Sequence, residues 1–266
     1  MPSLFGTAAI LIGSFQSEVP SLWGDEIASL LSAKRSIPSL FEHVLGVVDA
    51  VHAVYYMLLH FWISAFGSTP FALRFLSAIF VGLAVAGTVC LAKLLTNNRV
   101  AFLTGLVALF LPRLTQIATE ARSYAMSAAL VTWLTVLLIW LLKRDRQSVW
   151  LWLLYSLAVA ANLYVFLFSG LMLFAHLAIV LFNRKARQAI WFWLPAGLLG
   201  ALLALPIIYF GFNQRGQVSW IEPNNVNFKT VVINPWFLSE IYSVGAAYVI
   251  GFLGLFLLLR KLSIKD

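Results

Sequence analysis

His52-Ala53-Val54-Tyr55-Tyr56-Met57-Leu58-Leu59-His60-Phe61-Trp62-Ile63-Ser64-Ala65-Phe66 is the stretch on which the reading of the fold turns. The run is apolar, yet its fifteen or so residues fall short of the roughly twenty an α-helix needs to cross a bilayer. Its two histidines, two tyrosines and tryptophan suit a membrane–water interface. Whether it crosses decides the orientation of everything after it.

The basic clusters answer the question. Apolar runs of spanning or near-spanning length follow at about 71–92, 100–118, 121–142, 148–163, 164–182, 189–211 and 239–259, with a shorter one at Leu4–Phe15 before them. Lys93 with Arg99, Lys143-Arg144-Asp145-Arg146, Arg184-Lys185-Ala186-Arg187, and Arg260-Lys261 with Lys265 are each separated by a pair of runs, so all can face the cytoplasm together. That assignment puts eleven Lys/Arg and two acids inside, and seven Lys/Arg and eight acids outside. Residue 71 then lies outside, and so does residue 17 if the N-terminus is cytoplasmic. His52–Phe66 therefore lies along the membrane or enters and leaves on one side.

The expected fold is all-α: a multi-pass helical membrane protein of about eight transmembrane helices with both termini cytoplasmic, and two juxtamembrane helices in the first external loop, 17–70. The first of these covers about 26–35, with Ile27, Leu30 and Leu31 on one face and Lys34-Arg35 near its end. The second covers about 52–66. By domain, 1–211 is a transmembrane catalytic module, 212–238 an external loop, and 239–266 a final span with a short cytoplasmic tail. Leu4–Phe15 reads as a retained first helix, since no basic flank precedes it and no small-residue cleavage pattern follows.

Composition excludes other classes. With 62% hydrophobic and 11% charged residues and a mean hydropathy of +0.92, the chain carries more apolar surface than a soluble core can bury. The net charge of +8 is confined to the inter-span clusters, so nucleic acid is not a partner. The single Cys90 offers no disulfide and no cysteine metal site. No glycine-rich phosphate loop, zinc spacing or internal repeat is present. His176, the main ionisable residue at mid-span depth, reads as a hydrogen-bonded packing residue.

Chemistry is expected on the outer face. Leu22-Trp23-Gly24-Asp25-Glu26-Ile27 sets two carboxylates side by side after the first apolar run. A buried charge costs roughly 2.5–3.5 kcal/mol in hydrocarbon, so the pair must be solvated, ion-paired or put to chemical use. Asp25 can cap a helix beginning at Glu26, act as a base, or do both. A transferase on the outer face has no nucleotide supply and would draw on a lipid-linked donor. It needs a carboxylate to deprotonate an acceptor hydroxyl, for which Asp25 and Glu26 are the catalytic candidates. It also needs a cation for the leaving phosphate: Arg122, or else Arg113 or Arg74, each of which also suits a headgroup anchor. Glu120 can pair with Arg122, position the acceptor or, with Asp25, help hold a divalent cation. His52, Tyr55 and Tyr56 can line the site or serve as interfacial side chains.

Four segments occur together in the order of a known family: Leu22-Trp23-Gly24-Asp25-Glu26, His52-Ala53-Val54-Tyr55-Tyr56, Phe66-Gly67-Ser68-Thr69-Pro70-Phe71-Ala72-Leu73-Arg74-Phe75 and Glu120-Ala121-Arg122-Ser123-Tyr124. The sequence resembles the GT-C glycosyltransferase superfamily, in the branch with protein O-mannosyltransferases and the aminoarabinose transferases of lipid A, and is closest to actinobacterial mannosyltransferase-like members. The resemblance covers most of residues 20–220. It implies a module of seven spans with two juxtamembrane helices, a polyprenyl-phosphate sugar donor, and a glycan, lipid or protein acceptor on the extracytoplasmic side of the cell membrane. By position it implies Asp25 as the catalytic acid of the first loop, Glu26 as its neighbour and Glu120 as the acidic position of the second loop. The family's His-Pro-Pro motif is kept only at His52, with Ala53 and Val54 in place of the prolines. Similar enzymes continue further, so a minimal enzyme, a subunit needing a partner and an inactive relative stay open. A lipid transporter or flippase is the alternative from another class; it predicts repeats and polar groups at mid-membrane depth, whereas the charge here gathers at one face.

Overall fold

The computed structural model describes residues 1–182 and 187–218, with 245 and 249 as isolated positions, and every regular element among them is helical. The expected last span, 239–259, lies outside the described residues, apart from those two positions. In chain order the helices are α1 Pro2–Ser14, α2 Gly24–Ala33, α3 Ile37–Gly46, α4 Ala53–Phe66, α5 Pro70–Leu95, α6 Asn98–Leu109, α7 Pro112–Ala118, α8 Tyr124–Leu142, α9 Val149–Val165, α10 Met172–Phe182, α11 Ile190–Leu203 and α12 Leu205–Asn213. Short 3-10 turns cover Ala50–His52, Leu167–Leu171, Arg187–Ala189 and Arg215–Val218.

Among the described residues two helices, α5 and α8, are long and apolar enough to cross a membrane alone, and up to four spans result if each bent pair is one. The bent pairs are α6 with α7, at 61°, and α11 with α12, at 53°. Pro112 and Pro206 stand at or next to the first residue of the second helix in each pair, where a ring that cannot continue the previous helix can start a new one. The apolar runs expected at 100–118 and 189–211 are thus broken helices. α1, α9 and the 167–182 segment are apolar but shorter than the spanning length. Trp150, Trp191 and Phe182 are 80%, 78% and 86% exposed, as side chains facing hydrocarbon rather than water would be.

Residues 1–110 and 114–218 pack as one unit. α1 lies against α5 where small residues allow close approach: a Cβ added at Gly82 would stand 2.4 Å from Ile10 Cγ1 and 2.7 Å from the Gly6 carbonyl oxygen. α8 to α11 are joined by one buried polar chain. Trp193 Nε1 donates to the Tyr155 hydroxyl (2.9 Å), Tyr155 to His176 Nδ1 (2.7 Å), His176 Nε2 to Thr135 (3.0 Å) and Thr135 to the Val131 carbonyl (2.8 Å). Trp193 can only donate, and Thr135 spends its one proton on the Val131 carbonyl, so His176 Nε2 carries a proton and donates to Thr135 while Nδ1 meets the Tyr155 hydroxyl. His176 is therefore a hydrogen-bonded packing residue.

Two of the turns that carry basic residues, those after α5 and after α8, share one end of the bundle. The Lys143 ammonium, just after α8, donates to the Leu94 carbonyl at the end of α5, bringing the 143–146 cluster beside Lys93. The opposite end holds the start of α5, the α7–α8 turn and the segment 17–66.

That segment contains three α-helices rather than two. α3 is the extra one: Ser36 precedes it, Pro38 sits in its first turn, and Leu40 and Val44, four apart, are its buried residues. α2 starts at Gly24, so Asp25 lies inside the first turn and is not the cap; Glu26 reaches back to accept from the Trp23 N–H (3.3 Å). Ile27 and Leu31 of α2 are exposed, while Glu26, Ser29, Ser32 and Ala33 are its buried face. Its inner face is mostly polar and small, with apolar residues outward. α4 has 14 residues, about 21 Å of helix, and stops at Gly67, whose φ of 81° favours glycine.

Candidate active site

Two acid–arginine pairs occupy the end of the bundle opposite the basic turns, and they differ in kind. Successive residues on a helix point about 100° apart, so Asp25 and Glu26 cannot face the same surroundings. Glu26 is fully buried. Its Oε1 accepts from Arg74 Nε (2.8 Å) and the Ala121 N–H (3.0 Å), and its Oε2 from Arg74 Nη2 (2.6 Å) as well as Trp23. Arg74, 3% exposed, gives its remaining protons to the carbonyls of Ser17 (2.5 Å), Pro20 (2.7 Å) and Ser21 (3.1 Å). All five guanidinium donors are occupied. This pair ties the loop after α1, the start of α2, the first turn of α5 and the α7–α8 turn into one knot. Arg74, expected beside a donor phosphate, has no proton left for one.

Asp25 is placed differently. Its side chain is 43% exposed, and its Oδ2 lies 3.5 Å from Nη2 of the buried Arg122. Arg122 Nη1 donates to the Tyr56 hydroxyl (2.7 Å) and approaches Ser29 Oγ at 3.5 Å, and Nη2 donates to His52 Nε2 (3.2 Å). Among the described residues Arg122 Nε is buried without a hydrogen-bond partner. Burial opposes the charge on this guanidinium, but Tyr56, Asp25, Tyr124 and Asp49 together outweigh it and raise its pKa.

His52 is fixed by its partners. Arg122 can only donate, so Nε2 must accept, leaving the proton on Nδ1 to donate to Ser123 Oγ (2.8 Å). Burial first, and Arg122 second, lower its pKa from 6.5 to about 4 against a weaker upward pull from Asp49. The ring stacks near Phe166 at 6.3 Å. Tyr56 donates its only proton to Asp49 Oδ2 (3.0 Å), which leaves its oxygen free to accept from Arg122. Burial raises the phenols of both Tyr55 and Tyr56 above their ordinary value. Tyr55, named with the site from sequence, packs in the core of the first-loop helices; its neighbour Tyr56 carries the contact to Arg122.

Glu120, expected beside Arg122, lies in the turn two residues past the end of α7; its Oε1 accepts from Gln116 Nε2 (3.1 Å), and its carbonyl accepts from the Ser77 hydroxyl (2.6 Å). Among the described residues no group of three or more His, Cys, Asp or Glu side chains is arranged to hold a metal ion. Asp49, Ser29 and Ser123 belong to the network without having been singled out in the sequence. Ser123 follows Arg122 directly, and Asp49 precedes His52 by three residues; neither spacing signals the contact by itself.

The resulting geometry sets a partly exposed carboxylate against a buried, cationic and incompletely bonded arginine, backed by neutral hydrogen-bonding groups. It can take a proton at Asp25 and hold an anion at Arg122. A family model of dolichyl-phosphate-mannose-protein mannosyltransferases matches residues 52–210, which include His52, Tyr55, Arg74, Glu120 and Arg122 but not Asp25 or Glu26. No curated protein and no solved structure matches the chain. The match covers more than half of the 266 residues, and the chain belongs to the dolichyl-phosphate-mannose-protein mannosyltransferase family.

Proposed function

We propose that the protein transfers a sugar, mannose in the first instance, from a polyprenyl-phosphate donor to an acceptor hydroxyl on the extracytoplasmic side of the membrane. Asp25 takes the hydroxyl proton, and the oxygen attacks the anomeric carbon. The carbon–oxygen bond to the phosphate breaks, and polyprenyl phosphate leaves toward Arg122. The displacement inverts the anomeric centre, so a β-linked donor gives an α-linked product. The observation that carries this reading is the contrast between neighbours: Glu26 is buried and fully bonded, whereas Asp25 is 43% exposed and 3.5 Å from Arg122.

The same contrast divides the arginines. Arg122, with an unpartnered Nε, is the phosphate cation; Arg74 and Glu26 hold the loop. His52 and Tyr56 position Arg122, and neutral His52 does not act as an acid. The topology that accompanies this reading has eight spans, cytoplasmic basic turns and an outer face bearing the site. A divalent cation has no assigned step. Placement in the actinobacterial mannosyltransferase-like branch, and a glycan, lipid or protein as the acceptor, belong to the same proposal.

The test is donor use by purified full chain in lipid vesicles. Labelled mannose should transfer from polyprenyl-phosphate mannose and not from a nucleotide-linked mannose, and the product should be the α-anomer by NMR. Transfer from the nucleotide donor, or a retained β-linkage, would overturn the proposal.

A further inference from the structure

Beyond residue 210, where the family match ends, two glutamines reach back across the fold. Gln214 Oε1 accepts from the Ala50 N–H (2.9 Å), while its Nε2 donates to the Val44 carbonyl (2.9 Å). Gln217 Oε1 accepts from the Asp49 N–H (3.2 Å), and its Nε2 donates to Gln214 Oε1 (3.2 Å). Between them they bond two successive backbone amides of the turn that leads into His52.

That turn is strained. Asp49 has φ 63° and ψ 29°, a left-handed conformation uncommon for any residue but glycine and tolerated best by Asn and Asp. A strained turn persists only where its surroundings hold it. Its side chain is not idle: Asp49 Oδ2 accepts the Tyr56 proton, Tyr56 accepts from Arg122, and Arg122 faces Asp25. The chain from Gln214 and Gln217 to Asp25 is continuous through named bonds.

We propose that Gln214 and Gln217 are positioning residues: by clamping the Asp49 turn they hold the Asp49–Tyr56–Arg122 chain in the geometry that presents Arg122 to Asp25. This rests on the reading of Asp25 and Arg122 as the reacting groups only for its effect on rate; the geometry is testable without it. Without the clamp Asp49 relaxes, Tyr56 loses its proton acceptor, and Arg122 loses the orientation of its best neutral partner. Arg74, whose five protons are held in the separate knot with Glu26, should not respond.

The experiment compares the full chain with the double variant Gln214→Met/Gln217→Met, near-isosteric and without the amides, in detergent. Each is treated with phenylglyoxal and modification is read arginine by arginine by mass spectrometry. Arg122 and Arg74 are 6% and 3% exposed and should both be protected in the parent. In the variant Arg122 should react about tenfold faster while Arg74 stays protected, as for local opening. Asp49→Ala should reproduce this, and Asp49→Asn, which tolerates the same backbone, should not. Arg122 remaining protected, or Arg122 and Arg74 opening together, would overturn the proposal. In the same samples kcat for mannose transfer should fall about tenfold, but less than about twofold further when Arg122→Lys is already present; equal losses in both backgrounds would also overturn it. A parent that transfers no mannose refutes the catalytic reading and leaves the protection result to decide the clamp.

Discussion

Glu26→Gln removes one charge from a knot that has no slack. Glu26 accepts four hydrogen bonds, two of them from a guanidinium that is 3% exposed, and the replacement amide keeps one acceptor oxygen of the two. Removing one partner of a buried pair costs about 3–5 kcal/mol, because the remaining charge stays buried. Part of the bonding survives in Gln, which places the expected loss near 3 kcal/mol by the same reckoning. For a chain of this size that corresponds to roughly 6–12 °C in melting temperature. The assay is thermal unfolding of purified protein in detergent, followed by tryptophan fluorescence, with Asp25→Asn as the comparator. Asp25 is 43% exposed, and its substitution should cost less than about 1 kcal/mol. Arg74→Met should be as damaging as Glu26→Gln, and the double variant should lose less than the sum. A Glu26→Gln protein that melts with the parent would refute the knot. If it also lost transfer while melting normally, Glu26 rather than Asp25 would be doing the chemistry.

Other consequences follow from single features. His52 has a depressed folded pKa of about 4 against 6.5. The folded state therefore binds fewer protons than the unfolded one, so its contribution to stability is full above about pH 6.5 and is lost as pH falls toward 4. Between pH 7 and pH 5 this amounts to roughly 2 kcal/mol, and His52→Gln should flatten that part of the pH–melting curve. Gly82→Ala should destabilise by about 1–3 kcal/mol through overpacking against Ile10 and Gly6, whereas Gly197→Ala, whose Cβ meets no described atom within 4 Å, should be neutral or slightly stabilising in the same melts. Tyr155→Phe removes the hydroxyl that donates to His176 Nδ1 and accepts from Trp193, and should cost about 1–3 kcal/mol of stability without touching transfer.

Much of this arrangement is legible in the sequence because hydrocarbon imposes length and polarity on each segment. Helices stand at every described apolar run, and the run His52–Phe66 forms a helix shorter than the spanning length, as its residue count predicts. What escapes is what apolarity does not encode. A window of hydrophobic residues reads 100–118 and 189–211 as straight spans, while Pro112 and Pro206 break them. α3 is ten residues long and carries Pro38, Glu42 and His43, so its two buried residues, Leu40 and Val44, give too weak a period to see.

The site shows the same division. Residue types alone point to Asp25, Glu26, His52, Arg74 and Arg122, because carboxylates, guanidinium groups and a histidine at one face of an apolar bundle call for a chemical reason. Which acid meets which arginine depends on the helical phase of α2, and a one-residue change of phase would exchange Asp25 and Glu26. The Asp49 turn and its glutamine clamp join positions more than 160 residues apart, which no local pattern reveals.

In the proposed transfer Asp25 is the base. The direct measurement is the single-turnover rate of mannose transfer from polyprenyl-phosphate mannose by Asp25→Asn, against parent protein of equal amount and equal melting temperature. Loss of a general base predicts a fall of about 10²–10⁴-fold. A variant that transfers mannose at the parental rate would contradict the account.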